Sequence, residues 1–277
     1  MKFPSLFIAA AMLLSPLAVQ ADNGDWRTWP MGERLKISGG VYEADLNTEM
    51  AVTEVGGLQE GTAIDFEDDL GLDDSESASF TALTWRVFKR HVLNFNYYSL
   101  ERDARAVADD GLVFDDLEIL PGDEVDTFFD VDVYELSYAY SILFDEKKNL
   151  SIGLGLAVHD FDLGIASVAS PVLLSEEEDF TAPLPTFKLG FDYAITDKWL
   201  LGIHTGYLDI DFDSDGDEFD ARIFTGDVGL RWKAFDHASI GLHYSVFDLE
   251  GDYEDDDIVA MIDLDYRGPR LSLDFLF

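Results

Sequence analysis

The chain has 277 residues, 57 of them acidic and 18 basic, with a formal net charge of -39 and no cysteine. Disulfide stapling is excluded, and nucleic acid is an implausible partner because phosphate binding needs a basic surface. The 47% hydrophobic and 13% aromatic content argues against the disorder that such acidity would otherwise suggest.

Residues 1–21 read as a secretory signal peptide. Lys2 is the positive start, Phe3 to Leu14 the apolar run, Pro16 its end, and Val19-Gln-Ala21 the small-x-small cleavage site. The run is shorter than the ~20 residues a spanning helix needs. No later stretch is long and apolar enough either, so any membrane crossing must be made by strands. Residues 22–33 form a short N-terminal lead-in whose Trp26 and Trp29 are expected at a membrane interface. Residues 34–277 form one domain.

Strands are predicted near 34–50, 77–89, 91–103, 125–143, 150–163, 181–195, 199–212, 219–234, 239–250 and 258–277. Leu150, Ile152, Leu154, Leu156 and Val158 interleave with Ser151, Gly153, Gly155, Ala157 and His159. Phe187 to Ile195, Ile240 to Val246 and Tyr134 to Ile142 alternate in the same way, which is the period-two signature of strands. Short connections at 89–91, 145–149, 196–198 and 235–238 alternate strictly with longer, acidic ones. An antiparallel ring puts each kind on its own rim, and four short turns with both termini beside them give ten strands. Eight and twelve are the alternatives.

Alternation does not say which row is inside. A soluble, lipocalin-like barrel puts the apolar row inward. Three features favour the reverse. The second row carries Gly153, Gly155, Gly190, Gly202, Gly206, Gly229 and Gly241, poor choices for an exposed strand face. It mixes charges of both signs, with Arg231–Asp227 and Arg86–Glu135 as expected pairs across a lumen. Aromatics (Phe88, Phe144, Trp199, Trp232, Phe235, Phe277) gather beside the short turns, as in an interfacial girdle, with Tyr97, Tyr134 and Tyr207 for the other interface. The last residues, Leu271-Ser-Leu-Asp-Phe-Leu-Phe277, alternate and stop on an aromatic.

This ending, the leader, the alternation and the turn asymmetry together resemble bacterial (Gram-negative) outer-membrane β-barrel proteins. The resemblance implies an all-β, closed, antiparallel up-and-down transmembrane barrel in the cell outer membrane. It also implies a periplasmic lead-in, lipid and lipopolysaccharide as surroundings, and recognition of Phe277 by the barrel-assembly machinery. The function expected is a structural or surface protein with acidic external loops, or a narrow pore favouring cations. A hydrolase acting on lipid A or peptide, and a soluble periplasmic carrier, are the alternatives.

Candidate chemistry is sparse, and a non-enzymatic role is expected. His243 and Ser245 share a strand face, the minimum for nucleophilic catalysis, and resemble the H-x-S pair of outer-membrane lipid A deacylases. Their expected inward aim does not suit lipid outside the wall. Asp211, Asp213 and Asp215 open a calcium-loop pattern that fails at Arg222, where a bidentate Glu is needed. A loose external site for Ca2+ or another divalent cation is the functional reading of these acids, and a solvated strand end the bland one. Asp209 and Asp211 are out of phase with Gly202, His204 and Gly206, so either a bulge intervenes or the strand has left the lipid. His204 and His243 flank the strand of Asp227 and are expected to lie too far apart to share a metal. No cofactor is expected.

Overall fold

The structure is a computed structural model and describes residues 26–54, 63–107, 112–114, 117–167, 175–214, 217–254 and 258–277. The expected leader at 1–21 lies outside them. A 3-10 turn, Trp26–Thr28, precedes the strands β1 (Leu35–Glu54), β2 (Ile64–Asp65), β3 (Ser75–Phe88), β4 (His91–Val107), β5 (Leu112–Phe114), β6 (Leu117–Ile119), β7 (Glu124–Phe144), β8 (Lys148–Ser167), β9 (Ser175–Ala194), β10 (Trp199–Ser214), β11 (Asp217–Phe235), β12 (Ala238–Glu254) and β13 (Ile258–Leu276). The long strands run up and down, each antiparallel to its neighbour, and β13 pairs with β1, so the hydrogen bonds form a ring.

The sheet holds eleven strands, where ten were expected. The extra one is β2, which pairs Ile64 and Asp65 with Met50 and Glu49. β3 starts at Ser75, opposite Asp45, and beyond that point β2 takes its place beside β1. Two residues carry no period-two signal, which is why β2 is invisible in the sequence. β5 and β6 form a separate hairpin.

The short turns are built from their own side chains. Asp145 Oδ1 accepts the N–H groups of Lys147 and Lys148, each at 2.8 Å. Thr196 Oγ1 accepts those of Lys198 and Trp199 at 3.2 and 3.1 Å. Both are the local side-chain-to-backbone bonds that make Asp and Thr turn formers.

Away from the bulges near the short turns each strand keeps one row inward and one outward, but the chemistry of the rows changes part-way. On β8, Ile152, Leu154 and Leu156 point outward while Ser151, Gly153 and Gly155 point inward. Six residues further on, Asp160 and Asp162 are outward, and Phe161, Leu163 and Ile165 are inward and buried. β7 inverts at the same level, from outward Leu136 and Tyr138 to outward Asp132 and Asp130, with Val131 and Phe129 inside. β10 resolves the phase problem at Asp209. Its register with β11 is unbroken from Trp199↔Trp232 to Ser214↔Asp217, so there is no bulge. Leu208 and Ile210 turn inward and Asp209 and Asp211 outward with the parity unchanged, so what changes is the kind of side chain each row carries.

The ring thus has a turn-end half, apolar outside and polar inside, and a loop-end half with the opposite arrangement. The loop-end interior is a core of large side chains, among them Phe129, Phe161, Leu163 and Ile223. The segment 63–74 folds into it, burying Ile64, Phe66, Leu70 and Leu72 almost completely. Each such side chain removed from water contributes about 1.5–3 kcal/mol.

One expected girdle residue is elsewhere. Phe144 is buried, because the register shifts between Ser141 and Leu143 and the extra residue, Ile142, reverses the facing of those after it. Trp26 and Trp29 pack on the inward Phe144, with ring centroids at 6.3 and 5.0 Å, rather than sitting at an outer interface. Met31, Ala194 and Leu200 complete this small cluster at the turn ends of β7, β9 and β10. Phe88, Trp199, Trp232, Phe235 and Phe277 are exposed on the wall.

Candidate functional site

The polar interior of the turn-end half gathers the charged and titratable side chains. Register explains the gathering. His204, Asp227 and Ser245 stand directly opposite one another across β10, β11 and β12. His243 stands opposite Arg270 on β13. All five point inward and meet at the Asp227 carboxylate. Its Oδ1 lies 3.1 Å from His243 Nδ1 and 3.9 Å from His204 Nδ1. Its Oδ2 accepts from Ser245 Oγ and from Arg270 Nη2, both at 2.8 Å. His204 Nε2 reaches Asp192 Oδ1 at 3.2 Å, and Asn149 Nδ2 donates to Asp192 Oδ2 at 2.8 Å. The network ties six consecutive strands, β8 to β13.

Glycines make the room. A Cβ at Gly229 would lie 2.1 Å from His243 Nδ1, and one at Gly241 would lie 2.6 Å from its Nε2. Gly190 and Gly202 stand in the same relation to the His204 ring, at 2.8 and 3.1 Å. On the far side, Lys188 crosses over Gly155 to pair with Glu135 at 2.5 Å, and Asn96 donates to the same carboxylate at 3.4 Å. Five of the seven glycines read from the sequence as inward, at 155, 190, 202, 229 and 241, are therefore positions over which Lys188 or a histidine ring lies.

The expected lumenal pairs are replaced by others. Asp227 is paired with Arg270, and Arg231 faces Glu33 at 3.7 Å. Glu135 is paired with Lys188, while Arg86 lies over the Phe144 ring at 4.2 Å and donates to Lys89 O and Ser141 Oγ. The two histidines, expected to be kept apart by a strand, converge because the carboxylate between them reaches both.

The His243–Ser245 pair does not form a nucleophile and base. The Ser245 hydroxyl donates to the carboxylate that Arg270 already neutralises, so no imidazole takes its proton. Transfer to a general base needs the imidazole between hydroxyl and carboxylate. Asp211 stands on the outer wall opposite Asp220. The Asp213 side chain and the whole of Asp215 lie outside the described residues. Among the described residues no group of three or more His, Asp or Glu side chains is placed to hold a metal ion.

Above the polar network the rings of Tyr42, Tyr98 and Tyr266 meet across the interior, with centroids 6.0 and 6.2 Å from Tyr266. Phe247 stacks on Tyr266 at 4.6 Å and leads into the apolar core. His159 lies within that core beside Phe161 and Phe247, and neither ring nitrogen has a hydrogen-bond partner among the described residues.

The segment 63–74 is held over this core by a buried arginine. Arg102, inward on β4, pairs with Glu67, donates to Thr48 Oγ1 at 3.0 Å and to Asp73 O at 2.9 Å. Glu67 Oε2 in turn accepts the Thr48 N–H at 2.8 Å. Sequence reasoning missed this latch. The only signal for it was the apolar run Phe66, Leu70, Leu72 within an acidic connection.

Comparison with known proteins bears on this arrangement at the level of fold. No protein-family model matches the chain, and no curated protein matches it. Among solved structures it is similar to the outer membrane protease OmpT from Escherichia coli, with a TM-score of 0.51 and 10% identity, over 87% of this chain and 97% of that one. A FadL homologue from Pseudomonas aeruginosa (TM-score 0.36, 10% identity, 92% of each chain) and Ail from Yersinia pestis (TM-score 0.32, 10% identity, 87% of this chain and 98% of that one) align less well. The chain has the fold of Gram-negative outer-membrane β-barrel proteins, and at such identity the likeness speaks of fold alone.

Proposed function

We propose that the chain is a closed transmembrane barrel of the outer membrane with ten spanning strands, and that it is a sealed, non-enzymatic protein presenting an acidic surface to the exterior. The apolar outward row of β8 from Leu150 to Val158 matches the ~9–11 residues a tilted strand needs to cross the hydrocarbon layer. β8 has 20 residues, so about half of it stands clear of lipid. The loop-end half is then water-exposed outside and needs an apolar core inside, which is the arrangement seen.

The observation that carries the reading is the packing of apolar side chains at both ends of the interior. At the loop end Phe66, Leu70 and Leu72 join the core of Phe129 and Phe161, and at the turn end Trp26, Trp29 and Met31 cluster with Phe144. Between these ends Asp227 is paired with Arg270 and Glu135 with Lys188. A narrow cation pore, the other structural reading, would need a water path through both layers. The hydrolase reading has no assembled nucleophile among the described residues to support it, and what OmpT cleaves is a property of that protein. Recognition of Phe277, which is exposed on the wall, by the barrel-assembly machinery belongs to the same proposal.

Planar-bilayer recording of the purified chain tests the reading. It predicts no conductance steps for the wild type. Single-channel openings in the wild type would overturn the sealed barrel in favour of the pore.

A further inference from the structure

The turn-end rim carries a feature that neither the polar interior nor the acidic loop end uses. A groove of about 430 Å³ lies on the outer wall where β13, β1 and β3 meet, lined by Arg34, Leu35, Leu83, Trp85 and Phe277. Its lining is apolar except for Arg34. The backbone closes the seam beneath it: Phe277 O accepts the N–H groups of Arg34 and Leu35 at 2.9 and 3.0 Å, and Arg34 O accepts that of Arg86 at 2.8 Å. The Arg34 guanidinium is exposed and has no hydrogen bond or ion pair among the described residues. Its acidic neighbour, Glu33, is partly buried and turned to Arg231 and Lys233. Lys89 and Arg90 add two further cations at the next turn of the rim, with Phe88 exposed beside them. Two of the other short turns mix signs, with Asp145 and Glu146 beside Lys147 and Lys148, and Asp197 beside Lys198, and the turn at 235–238 carries Asp236. At this groove an exposed guanidinium with no partner among the described residues stands beside an apolar wall.

We propose that this groove binds one anionic phospholipid from the leaflet facing the short turns, with its phosphate on Arg34 and an acyl chain along Leu83 and Trp85. An unpaired guanidinium at a lipid–water boundary is matched by a phosphate, with which it forms charge-assisted, bidentate hydrogen bonds. A flat apolar wall would give a lipid tail no preferred place, whereas a groove beside the charge does. A zwitterionic phospholipid brings its own ammonium to the phosphate and gains less from the guanidinium. The inference rests on the membrane reading above.

The full chain, refolded into phosphatidylethanolamine–phosphatidylglycerol vesicles, tests it. Acyl-brominated phosphatidylglycerol and acyl-brominated phosphatidylethanolamine are introduced separately at equal density. Quenching assigned to Trp85 is the difference between wild type and Trp85→Phe. Bromine on phosphatidylglycerol should be enriched at Trp85 about fivefold over bromine on phosphatidylethanolamine, the factor set by roughly one basic residue near an anionic surface. Arg34→Gln should abolish the preference while leaving insertion unchanged. Equal quenching by the two lipids, with Trp199 and Trp232 quenched by both, would overturn the lipid site and leave the membrane reading standing. A chain whose tryptophans are quenched by neither lipid would overturn both.

Discussion

The turn-end and loop-end halves of the ring share strands, register and row parity, and differ in what each row is made of. In one half Leu154 faces out and Gly155 in; in the other Asp162 faces out and Phe161 in. The soluble-barrel and membrane-barrel arrangements, alternatives when read from sequence, each describe one half of the same strands. The lesson is that a strand's period fixes which residues share a face, while the solvent at each level decides which kind of residue that face carries. The same contrast governs the interiors. Glycines and polar side chains fill the half whose outer row is apolar, and rings fill the half whose outer row is acidic.

The comparison is broken most severely at the latch. Arg102→Ala leaves Glu67 buried beside Thr48 without its cation, and losing one partner of a buried pair costs about 3–5 kcal/mol. The expected outcome is release of segment 63–74, read as new protease cleavage there with the turn-end half intact. Next come two substitutions on one row of β8. Leu154→Arg should cost about 2–4 kcal/mol in a bilayer, as arginine does near the midplane, whereas Asp162→Arg should change stability little. Urea titration in vesicles separates them, and equal costs would erase the distinction between the halves. A smaller effect, of opposite sign, is expected inside the loop-end core. His159→Leu removes an imidazole with no hydrogen-bond partner and should stabilise the chain by about 1 kcal/mol, seen as a higher urea midpoint.

The smallest effect is electrostatic and confined to the outer wall of the loop-end half. Acidic side chains stand directly opposite one another: Asp248 and Asp265, Glu250 and Asp263, Asp130 and Asp162. Opposed like charges destabilise a strand pair. Asp130, Asp248 and Asp263 are held above the ordinary carboxylate range, by burial first and then by neighbouring acids. Carboxyls raised in the folded state contribute stability that is fully present below the ordinary carboxylate pKa and is lost as pH rises through their raised values. Asp126, exposed and bonded to Arg105, is held below that range and acts in the opposite direction. The balance predicts a higher urea midpoint at mildly acidic than at neutral pH, with the difference shrinking in high salt. A flat profile would show that these rows are fully screened.

Much of the ring was legible because its signal is periodic. The long strands, the alternating turns and the inward glycine row all follow from period two. The inversion was visible only as the misplaced phase at Asp209, where one strand could not choose between a bulge and a change of surroundings. Phe144 was misplaced because the bulge at Ile142 has no mark of its own in sequence. The meeting of His204 and His243 at Asp227 depended on register across three strands, which pairs residues far apart in the chain. The latch at Arg102 and the seal over Phe129 and Phe161 depended on a connection folding inward, and its acidic composition concealed the apolar run within it.

The central claim is that one outward row passes from lipid into water along β8. The chain has no cysteine, so Leu154→Cys and Asp162→Cys each give a single labelling site. Spin labels there, in bilayers, report oxygen against water-soluble nickel chelate as collision partner. The account predicts that the label at 154 meets oxygen and excludes the chelate, while the label at 162 meets the chelate. Labels that behave alike at the two positions would contradict it.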